Sequence, residues 1–248
     1  MPPTVEVVIP VYNEERDLPR CISTLRAFLG QGFPYPWRIL VADNGSTDST
    51  LEVAQELARQ HPEEVAVIHL PEKGRGRALK RAWLSSDRDI LSYMDVDLST
   101  DLSAFPSVVD AIAKEGYHIA IGSRLMPGAR VRRSIKREVL SRGYNLLIRL
   151  LFWTPFTDAQ CGFKAISRQA AQVLLPHIKD NAWFFDSELL ITASVRGFRI
   201  KEVPVVWVED PDTRVKVLRT VSQDMAGLLR LRFGGIAKVR PPDTKEGA

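Results

Sequence analysis

The sequence predicts an α/β fold in which a mostly parallel central sheet is flanked by helices. Short runs rich in β-branched residues alternate with helical patterns of about 10 to 15 residues, which is the order of right-handed βαβ units. The first run, Val5–Val11, is almost continuously apolar, as expected of a strand buried on both faces. Together these observations indicate a sheet covered by helices.

The elements of the first half follow from the spacing of their apolar residues. Helical spacing over residues 14–28 predicts the first helix, and the run from Trp37 to Ala42 predicts a second strand. The next predicted elements are a helix ending near residue 60, a strand at 65–70, a helix at 76–84, a strand at 90–94, a helical stretch from residue 101 and a strand at 117–122.

The second half has a different character. A basic segment at residues 130–142 leads into an apolar stretch at 143–153. After it we predict a polar turn at 157–162, helices at 167–175 and 186–195, a strand at 198–208, a basic amphipathic helix at 215–233 and a disordered tail at 241–248. Pro204 places the late strand at a sheet edge or a strand end. Without repeats or linkers, residues 1–240 are expected to form one domain.

Composition excludes several classes of protein. Of the 248 residues, 45% are hydrophobic and 26% are charged, which is typical of a soluble globular protein. No stretch approaches the roughly 18 to 20 apolar residues of a membrane-spanning helix. The first residues lack a basic leader, and the two cysteines, Cys21 and Cys161, exclude a disulfide framework. These features predict a cytoplasmic protein.

Polar clusters follow three of the predicted strands. They are Tyr12-Asn13-Glu14, Asp43-Asn44-Gly45-Ser46 and Asp95-Val96-Asp97. Ligands of parallel sheets bind outside the carboxyl ends of the strands, so three clusters at one edge predict a binding site. Any one cluster could be ordinary turn chemistry, but the three together are harder to explain in that way.

Asp95 and Asp97 are the strongest candidates for a metal site. Two carboxylates one residue apart repel each other unless a positive charge lies between them. Their hard oxygens suit Mg²⁺ or Mn²⁺, and a cation held by two carboxylates keeps positions open for substrate phosphates. Such a cation would stabilise a diphosphate leaving group.

Other nucleotide and metal sites are disfavoured. The basic run from Lys73 to Arg77 opens a helix, as a phosphate loop does, but Leu79 stands where a dinucleotide fingerprint needs its third glycine. The sequence contains neither a P-loop nor a zinc-site motif. The scattered histidines are interpreted as structural or surface residues: His61, His69, His118 and His177.

The motifs together resemble the family 2 glycosyltransferases of GT-A, Rossmann-like fold. Residues 5–123 carry IPVYNEE, VADNGSTDST, GRGRALKRA and MDVDLS, which match the nucleotide-sugar-binding half of that family. Residues 124–235 are similar to its acceptor- and membrane-facing half. The pieces GSR, TDAQCGFKA, WFFDSELL and EVPVVW look most like the dolichyl- or polyprenyl-phosphate glucosyltransferases, and also resemble dolichol-phosphate mannose synthases.

The resemblance implies a set of donor residues. Asp95 and Asp97 match the metal and diphosphate motif. Tyr12, Glu14 and Asp43 match residues that hold the base and ribose. The donor-binding residues implied in this way are Pro10, Tyr12, Asn13, Glu14, Asp43, Gly45, Lys73, Gly74, Arg77 and Asp95.

The resemblance also implies acceptor and catalytic residues. Asp97, Arg124 and Asp158 match catalytic positions, and Asp158 is expected to be either a base or a group that orients the sugar. The acceptor-binding residues implied are Arg124, Arg137, Ser141, Asp186 and Glu188. Arginines suit phosphates because of their bidentate fork.

The implied activity is metal-dependent, inverting transfer of a hexose, glucose from UDP-glucose, to a polyprenyl phosphate at the cytosolic face of a membrane. The two basic amphipathic segments, 130–153 and 215–233, are expected to lie at that membrane surface or to pack on the sheet. A separate integral-membrane partner protein remains open. The alternatives are transfer from GDP-mannose or to a soluble acceptor, and a nucleotide-sugar-binding module without catalysis. Nucleic-acid binding is disfavoured because no recognition motif is present.

Overall fold

The computed structural model describes residues 1–209 and 217–242. Within these ranges the strands are β1 (Val5–Val11), β2 (Trp37–Asn44), β3 (Val65–Leu70), β4 (Ile90–Met94), β5 (Ile119–Ser123), β6 (Arg130–Arg132), β7 (Phe163–Ser167), β8 (Ile200–Pro204) and β9 (Val206–Val208). The helices are α1 (Leu18–Gly30), α2 (Thr50–Gln60), α3 (Arg75–Ser85), α4 (Phe105–Ala113), α5 (Ile135–Phe152), α6 (Arg168–Leu174), α7 (Phe185–Val195) and α8 (Val217–Gly234).

Seven strands form the central sheet, in the order β3-β2-β1-β4-β7-β5-β8. All neighbouring pairs are parallel except those of β7, which lies antiparallel between β4 and β5. The ends of β1, β2 and β4 therefore meet at one edge, and the predicted α/β class with a mostly parallel sheet is confirmed. A smaller parallel sheet pairs β6 with β9.

Helices cover both faces of the central sheet. The side chains of α1, α2 and α4 pack in one hydrophobic core with Val7, Ile9 and Val11 of β1. The helices α3 and α5 to α8 contribute to the other core, which includes Val8 of the same strand. Alternate residues of β1 thus point into opposite cores, as a strand buried on both faces requires.

Two strand predictions are corrected by the structure. Residues 163–167 form β7, a strand that was not predicted between the polar turn at 157–162 and the helix at 167–175. This strand was missed because Lys164 places a charge in an otherwise apolar run. The side chain of Lys164 is 2% exposed, and its Nζ lies 3.1 Å from Asp186 Oδ1. The late strand predicted at 198–208 breaks after Pro204, and its second part leaves the central sheet to pair with β6.

The two basic amphipathic segments fold as long helices with one buried side. The segment predicted as separate basic and apolar parts is one helix, α5, preceded by β6. Parts of two predicted segments lie outside the described residues. They are residues 215 and 216 and the side chains of Leu218 and Arg219 in the predicted last helix, and residues 243–248 in the predicted tail. Among the helices of the described ranges, none combines the length and the hydropathy of a membrane span.

Candidate active site

The loops after β1 and β2 are tied together at the edge of the sheet. The backbone N–H of Thr47 donates to Asn13 Oδ1 at 2.8 Å, and the N–H of Asn13 donates to Ser46 Oγ at 3.0 Å. The N–H of Glu14 donates to Thr50 Oγ1 at 2.8 Å. Asn13 has a φ of +56°, a left-handed conformation that asparagine tolerates. Two of the predicted polar clusters therefore form one surface.

Asp43 is enclosed by its neighbours. Its side chain is 0% exposed, and its Oδ2 lies 2.6 Å from Nδ1 of His69, its register partner on β3. The imidazole of His69 is 44% exposed, in agreement with its interpretation as a structural or surface residue, but its contact with Asp43 was not predicted. Gly45 follows with a φ of +70°, and a β-carbon there would lie 3.1 Å from the carbonyl oxygen of Pro71.

The basic loop between β3 and α3 packs against the first loop. Lys73 Nζ lies 3.3 Å from the ring centroid of Tyr12, and the N–H of Gly74 donates to Asn44 Oδ1 at 2.5 Å. A β-carbon at Gly74 would lie 2.6 Å from the carbonyl oxygen of Asn181, so only glycine fits. Lys73 thus brings a positive charge to the edge where Tyr12 lies.

Two predicted donor residues have contacts within the protein. The guanidinium of Arg77 forms an ion pair with Glu72 and is 33% exposed. Pro10 is half-buried in β1, where it lies opposite Ala42 of β2. Arg77 is therefore accessible to a ligand, whereas Pro10 shapes the strand end.

Arg75 is the central cation of the site, although it was not among the predicted site residues. Its Nη2 donates to Asp95 Oδ1 at 2.9 Å, and its Nη1 donates to Asp186 Oδ2 at 2.6 Å. Burial disfavours the charge of Asp186, but Lys164 and Arg75 hold the pKa of this carboxyl below its usual value. From the sequence, the positive charge that the two aspartates need was assigned to a metal ion, whereas in the structure Arg75 supplies part of it.

Asp95 and Asp97 lie together at an open cleft, which Arg124 and Gln160 also line. The side chain of Asp95 is 44% exposed. Gly162 packs directly on it, since any β-carbon at that position would overlap the Asp95 carboxylate. In the part of the chain that the structure describes, no group of three or more acidic, histidine or cysteine ligands is found. Two accessible carboxylates fit a divalent cation that completes its coordination with phosphate oxygens and water.

Asp158 and Arg124 form a closed ion pair beside the cleft. The backbone N–H and Nε of Arg124 donate to Asp158 Oδ2 at 3.0 and 2.7 Å, and Nη2 donates to Oδ1 at 2.9 Å. Burial would raise the pKa of Asp158, but Arg124 lowers it to about 2. A buried carboxylate with this pKa is a poor base. The geometry of this ion pair favours an orienting role for Asp158 over the role of a catalytic base.

The predicted acceptor residues on α5 have unequal surroundings. Arg137 Nη1 lies 2.7 Å from Glu209 Oε1, and its side chain is 32% exposed. Ser141, one turn further along, has a buried Oγ with no hydrogen-bond partner among the described residues. In the described part of the chain, no hydrogen bond or ion pair links either side chain to Arg124, Asp186 or Glu188.

The two predicted acidic residues of α7 point to different neighbours. Asp186 joins Arg75 and therefore belongs to the donor edge. Glu188 is 2% exposed, accepts two hydrogen bonds from Arg230 of α8 and two from the backbone N–H groups of residues 179 and 180. Its contacts do not support the prediction that Glu188 binds the acceptor, because both carboxylate oxygens are already used.

An exposed apolar stripe runs along α5. Its members are spaced to fall on one face of the helix, and they are Ile135, Val139, Leu146, Leu150 and Trp153. Trp153 is 90% exposed. On α8, the predicted apolar face divides, because Leu228 is buried in the core whereas Leu229 and Phe233 are exposed.

Similar proteins are found in sequence comparisons. The profile described as "Glycosyl transferase family 2" matches residues 6–175. Glycosyltransferase AglD of Haloferax volcanii is 39% identical over 222 residues, which is 88% of this chain and 35% of that protein. A dolichyl-phosphate beta-glucosyltransferase of Drosophila melanogaster is 35% identical over 218 residues, 83% of this chain and 67% of that protein. The chain thus spans about a third of the length of AglD.

The fold is shared with a solved enzyme. Glucosyl-3-phosphoglycerate synthase from Mycobacterium tuberculosis, in complex with Mn²⁺, UDP and phosphoglyceric acid, matches with a TM-score of 0.70. The match is 20% identical in sequence and covers 99% of this chain and 82% of that chain. At this identity the likeness concerns the fold, and it confirms the predicted GT-A architecture.

Proposed function

The chain belongs to glycosyltransferase family 2, and from this membership we propose that it is a metal-dependent, inverting hexosyltransferase. Its donor is UDP-glucose, and its acceptor is a polyprenyl or dolichyl phosphate in a membrane. The observation that carries the proposal is the cleft in which exposed Asp95 and Asp97 lie beside Arg124. Dolichyl-phosphate beta-glucosyltransferases among the similar proteins support the sugar and the acceptor.

The donor edge supplies the charges that a nucleotide diphosphate needs. Lys73 lies against the Tyr12 ring, and Arg75 bonds to Asp95. A Mg²⁺ or Mn²⁺ ion held by Asp95 and Asp97 would stabilise the departing diphosphate. Tyr12 and the loop of Asn13 would contact the nucleoside, with His69 covering Asp43 at the same edge.

The acceptor end of the reaction requires alignment more than proton removal. An acceptor phosphate is already anionic near neutral pH, so its oxygen attacks the anomeric carbon while the bond to the donor diphosphate breaks. This single displacement inverts the configuration and gives a β-linked product from an α-linked donor. Arg124 would bind the phosphates, and Asp158 would fix the orientation of Arg124.

The remaining acceptor contacts belong to α5. We assign Arg137 and Ser141 to the acceptor phosphate, because Arg137 is partly exposed and the Ser141 hydroxyl has no partner in the described structure. The apolar stripe of the same helix would rest on the lipid surface, with exposed Arg142 and Arg149 beside it. A lipid phosphate would then approach α5 from the membrane.

A transfer assay tests the proposal. Purified protein with Mg²⁺ or Mn²⁺ and a short polyprenyl phosphate in detergent is offered UDP-glucose, UDP-galactose, UDP-N-acetylhexosamines or GDP-mannose, and lipid products are read by mass spectrometry. We expect UDP-glucose to give a glucosylated polyprenyl phosphate. This product should not form when a chelator removes the divalent cation. If only GDP-mannose served as a donor, the assignment of UDP-glucose would be wrong. If sugar were transferred only to a soluble acceptor, the assignment of a lipid phosphate acceptor would be wrong.

A pair of variants tests whether the cleft is catalytic. Asp97→Asn should abolish transfer, at least about 10³-fold, and should leave the fold intact, since it removes a carboxylate that binds the cation. Asp87→Asn, at a carboxylate that is 78% exposed, should transfer like the wild type. Unchanged turnover in Asp97→Asn would show that this carboxylate takes no part in catalysis. A binding module without catalysis would transfer no sugar even in the wild type, and Asp97→Asn would change only its affinity for the nucleotide sugar.

The membrane surface is tested with anionic vesicles. The double variant Leu150→Gln/Trp153→Gln removes apolar area that is 67% and 90% exposed, and we expect about tenfold weaker co-sedimentation with the vesicles. Leu84→Gln, at an exposed leucine of α3, is the control. Equal binding of both variants would contradict the role of the stripe.

A further inference from the structure

Helix α8 packs closely against the start of α7. Gly227 packs so tightly on Phe184 that any β-carbon there would overlap the ring. One turn earlier, Asp224 Oδ2 accepts a hydrogen bond from Gln160 Nε2 at 3.1 Å. Since Gln160 lines the cleft, this contact links α8 to the candidate active site.

Asp224 is a buried carboxyl that the proposed reaction does not use. It is 3% exposed, and its Oδ1 is buried with no hydrogen-bond partner among the described residues. Asp180 and Asp186 are the negative charges that act on it, and Tyr144 of α5 feels the charge of all three. On the same helix, Arg230 forms an ion pair with Glu188, so its charge is already neutralised.

The contact of Gln160 leads directly to the reacting groups. The backbone N–H of Gln160 donates to Asp158 Oδ1 at 3.1 Å, which is the carboxylate that orients Arg124. Two residues later, the carbonyl oxygen of Gly162 accepts a hydrogen bond from the N–H of Asp95 at 3.3 Å. A displacement of Gln160 would therefore shift both sides of the cleft.

We propose that Asp224 is a positioning residue for the transfer reaction, which holds loop 157–162 in place through Gln160 and so couples α8 to the cleft. The inference rests on the proposed function for its catalytic consequence, and on the contacts above for its structural one. Because α8 also exposes Leu229 and Phe233, the same helix joins the outer surface to the reacting groups.

The protonation state of Asp224 gives this contact a distinct signature. Burial and the repulsion by Asp180 and Asp186 raise its pKa to about 7. Oδ2 accepts from Gln160, so Oδ1 is the oxygen that takes the proton. Because the pKa of this carboxyl is raised, protonation of Asp224 favours the conformation in which α8 contacts Gln160. That stabilisation is lost as the pH rises through about 7. Asparagine imitates the protonated form and keeps an acceptor oxygen for Gln160.

A double-mutant cycle tests the coupling. We expect Asp224→Ala and Gln160→Ala each to lower kcat about tenfold, and the double variant to lower it hardly further, because both remove one contact. Gln223→Ala, at an exposed neighbour on the same helix, should behave as the wild type. Additive losses would overturn the proposal, since they would mean that Asp224 does not act through Gln160.

The pH profile separates positioning from mere stability. Asp224→Asn should keep most of the wild-type kcat, and the ratio of its kcat to that of the wild type should rise about threefold from about pH 6 to about pH 8.5. A constant ratio would contradict the role of the protonated carboxyl. Using the ratio cancels the titration of the acceptor phosphate.

Hydrogen exchange tests the structural part without any turnover. In Asp224→Ala, amides of residues 157–162 should exchange at least about fivefold faster than in the wild type, while Asp224→Asn and Gln223→Ala leave them unchanged. Unchanged exchange in the alanine variant would overturn the inference. If the wild type transfers no sugar but exchange responds as expected, the proposed function fails and the coupling stands.

Discussion

The exposed pair of carboxylates, Asp95 and Asp97, and the buried pair, Asp158 and Asp186, lie in adjoining parts of one site but are used differently. Asp95 accepts a hydrogen bond from Arg75 through Oδ1, but its side chain is 44% exposed, so a ligand can still reach the carboxylate. Asp158 and Asp186 are 0% and 4% exposed, and both are bound to arginines. The exposed pair can receive a cation, whereas the buried pair is occupied by the protein itself.

The difference teaches how the site obtains rigid positive charges. An exposed arginine samples many rotamers, and ordering it on ligand binding costs entropy. A buried carboxylate that bonds to Arg124 through three donors removes that freedom in advance. Arg75 is held by two carboxylates, because it forms ion pairs with the buried Asp186 and with the exposed Asp95. We expect these pairs to respond differently to substitution.

The largest effect is expected where the two pairs are joined. Arg75→Met leaves buried Asp186 with one cation fewer, and we expect a loss of about 3–5 kcal/mol in the free energy of unfolding. Arg77→Met, two residues away, breaks an ion pair between side chains 33% and 73% exposed and should cost below about 1 kcal/mol. Urea denaturation measures the free energy of unfolding of both variants. Equal losses in this free energy would show that burial does not determine how much an ion pair stabilises the fold.

A substitution beside the exposed pair should impair turnover far more than stability. Gly162→Ala places a methyl group against the Asp95 carboxylate and must displace it. We expect kcat to fall about a hundredfold, because a misplaced ligand or reacting group has effects of this size. Gly143→Ala, at a glycine with open space around it, is the matched control. Steady-state transfer rates decide, and wild-type rates in Gly162→Ala would contradict the placement of Asp95.

The buried pair should make itself visible through pH. The pKa of Asp158 is lowered to about 2, so its stabilisation is present above its unfolded pKa and is lost as the pH falls toward 2. The lowering corresponds to about 2 kcal/mol. In Asp158→Asn this part of the acid dependence should be absent, and urea denaturation from about pH 5 to about pH 2.5 measures the difference in slope. Identical slopes would show that Asp158 is not held ionised by Arg124.

The contrast between the two pairs also marks what the sequence could predict. Strand ends of a parallel sheet meet at one edge, so Asn13, Asp43 and Asp95 were assigned to one surface from topology alone. Arg75 and Asp224 lie on helices, where the partner of a side chain depends on how the helices dock, and no local pattern carries that information. The strand β7 was missed for a related reason, because Lys164 is neutralised by Asp186 from a distant part of the chain.

The smallest expected effect extends the comparison to the acceptor side. Glu188 resembles the buried pair, since Arg230 and two backbone N–H groups use its oxygens, whereas Arg137 is partly exposed and held only by Glu209 in the described structure. Glu188→Gln should therefore change the KM for the lipid phosphate less than about twofold, and Arg137→Gln should raise it about tenfold, which is the loss of one charge-assisted hydrogen bond. The KM values are compared at saturating donor. A tenfold change in Glu188→Gln would mean that a carboxylate closed by the protein opens to the acceptor, and that burial is a poor guide to which acids serve the ligand.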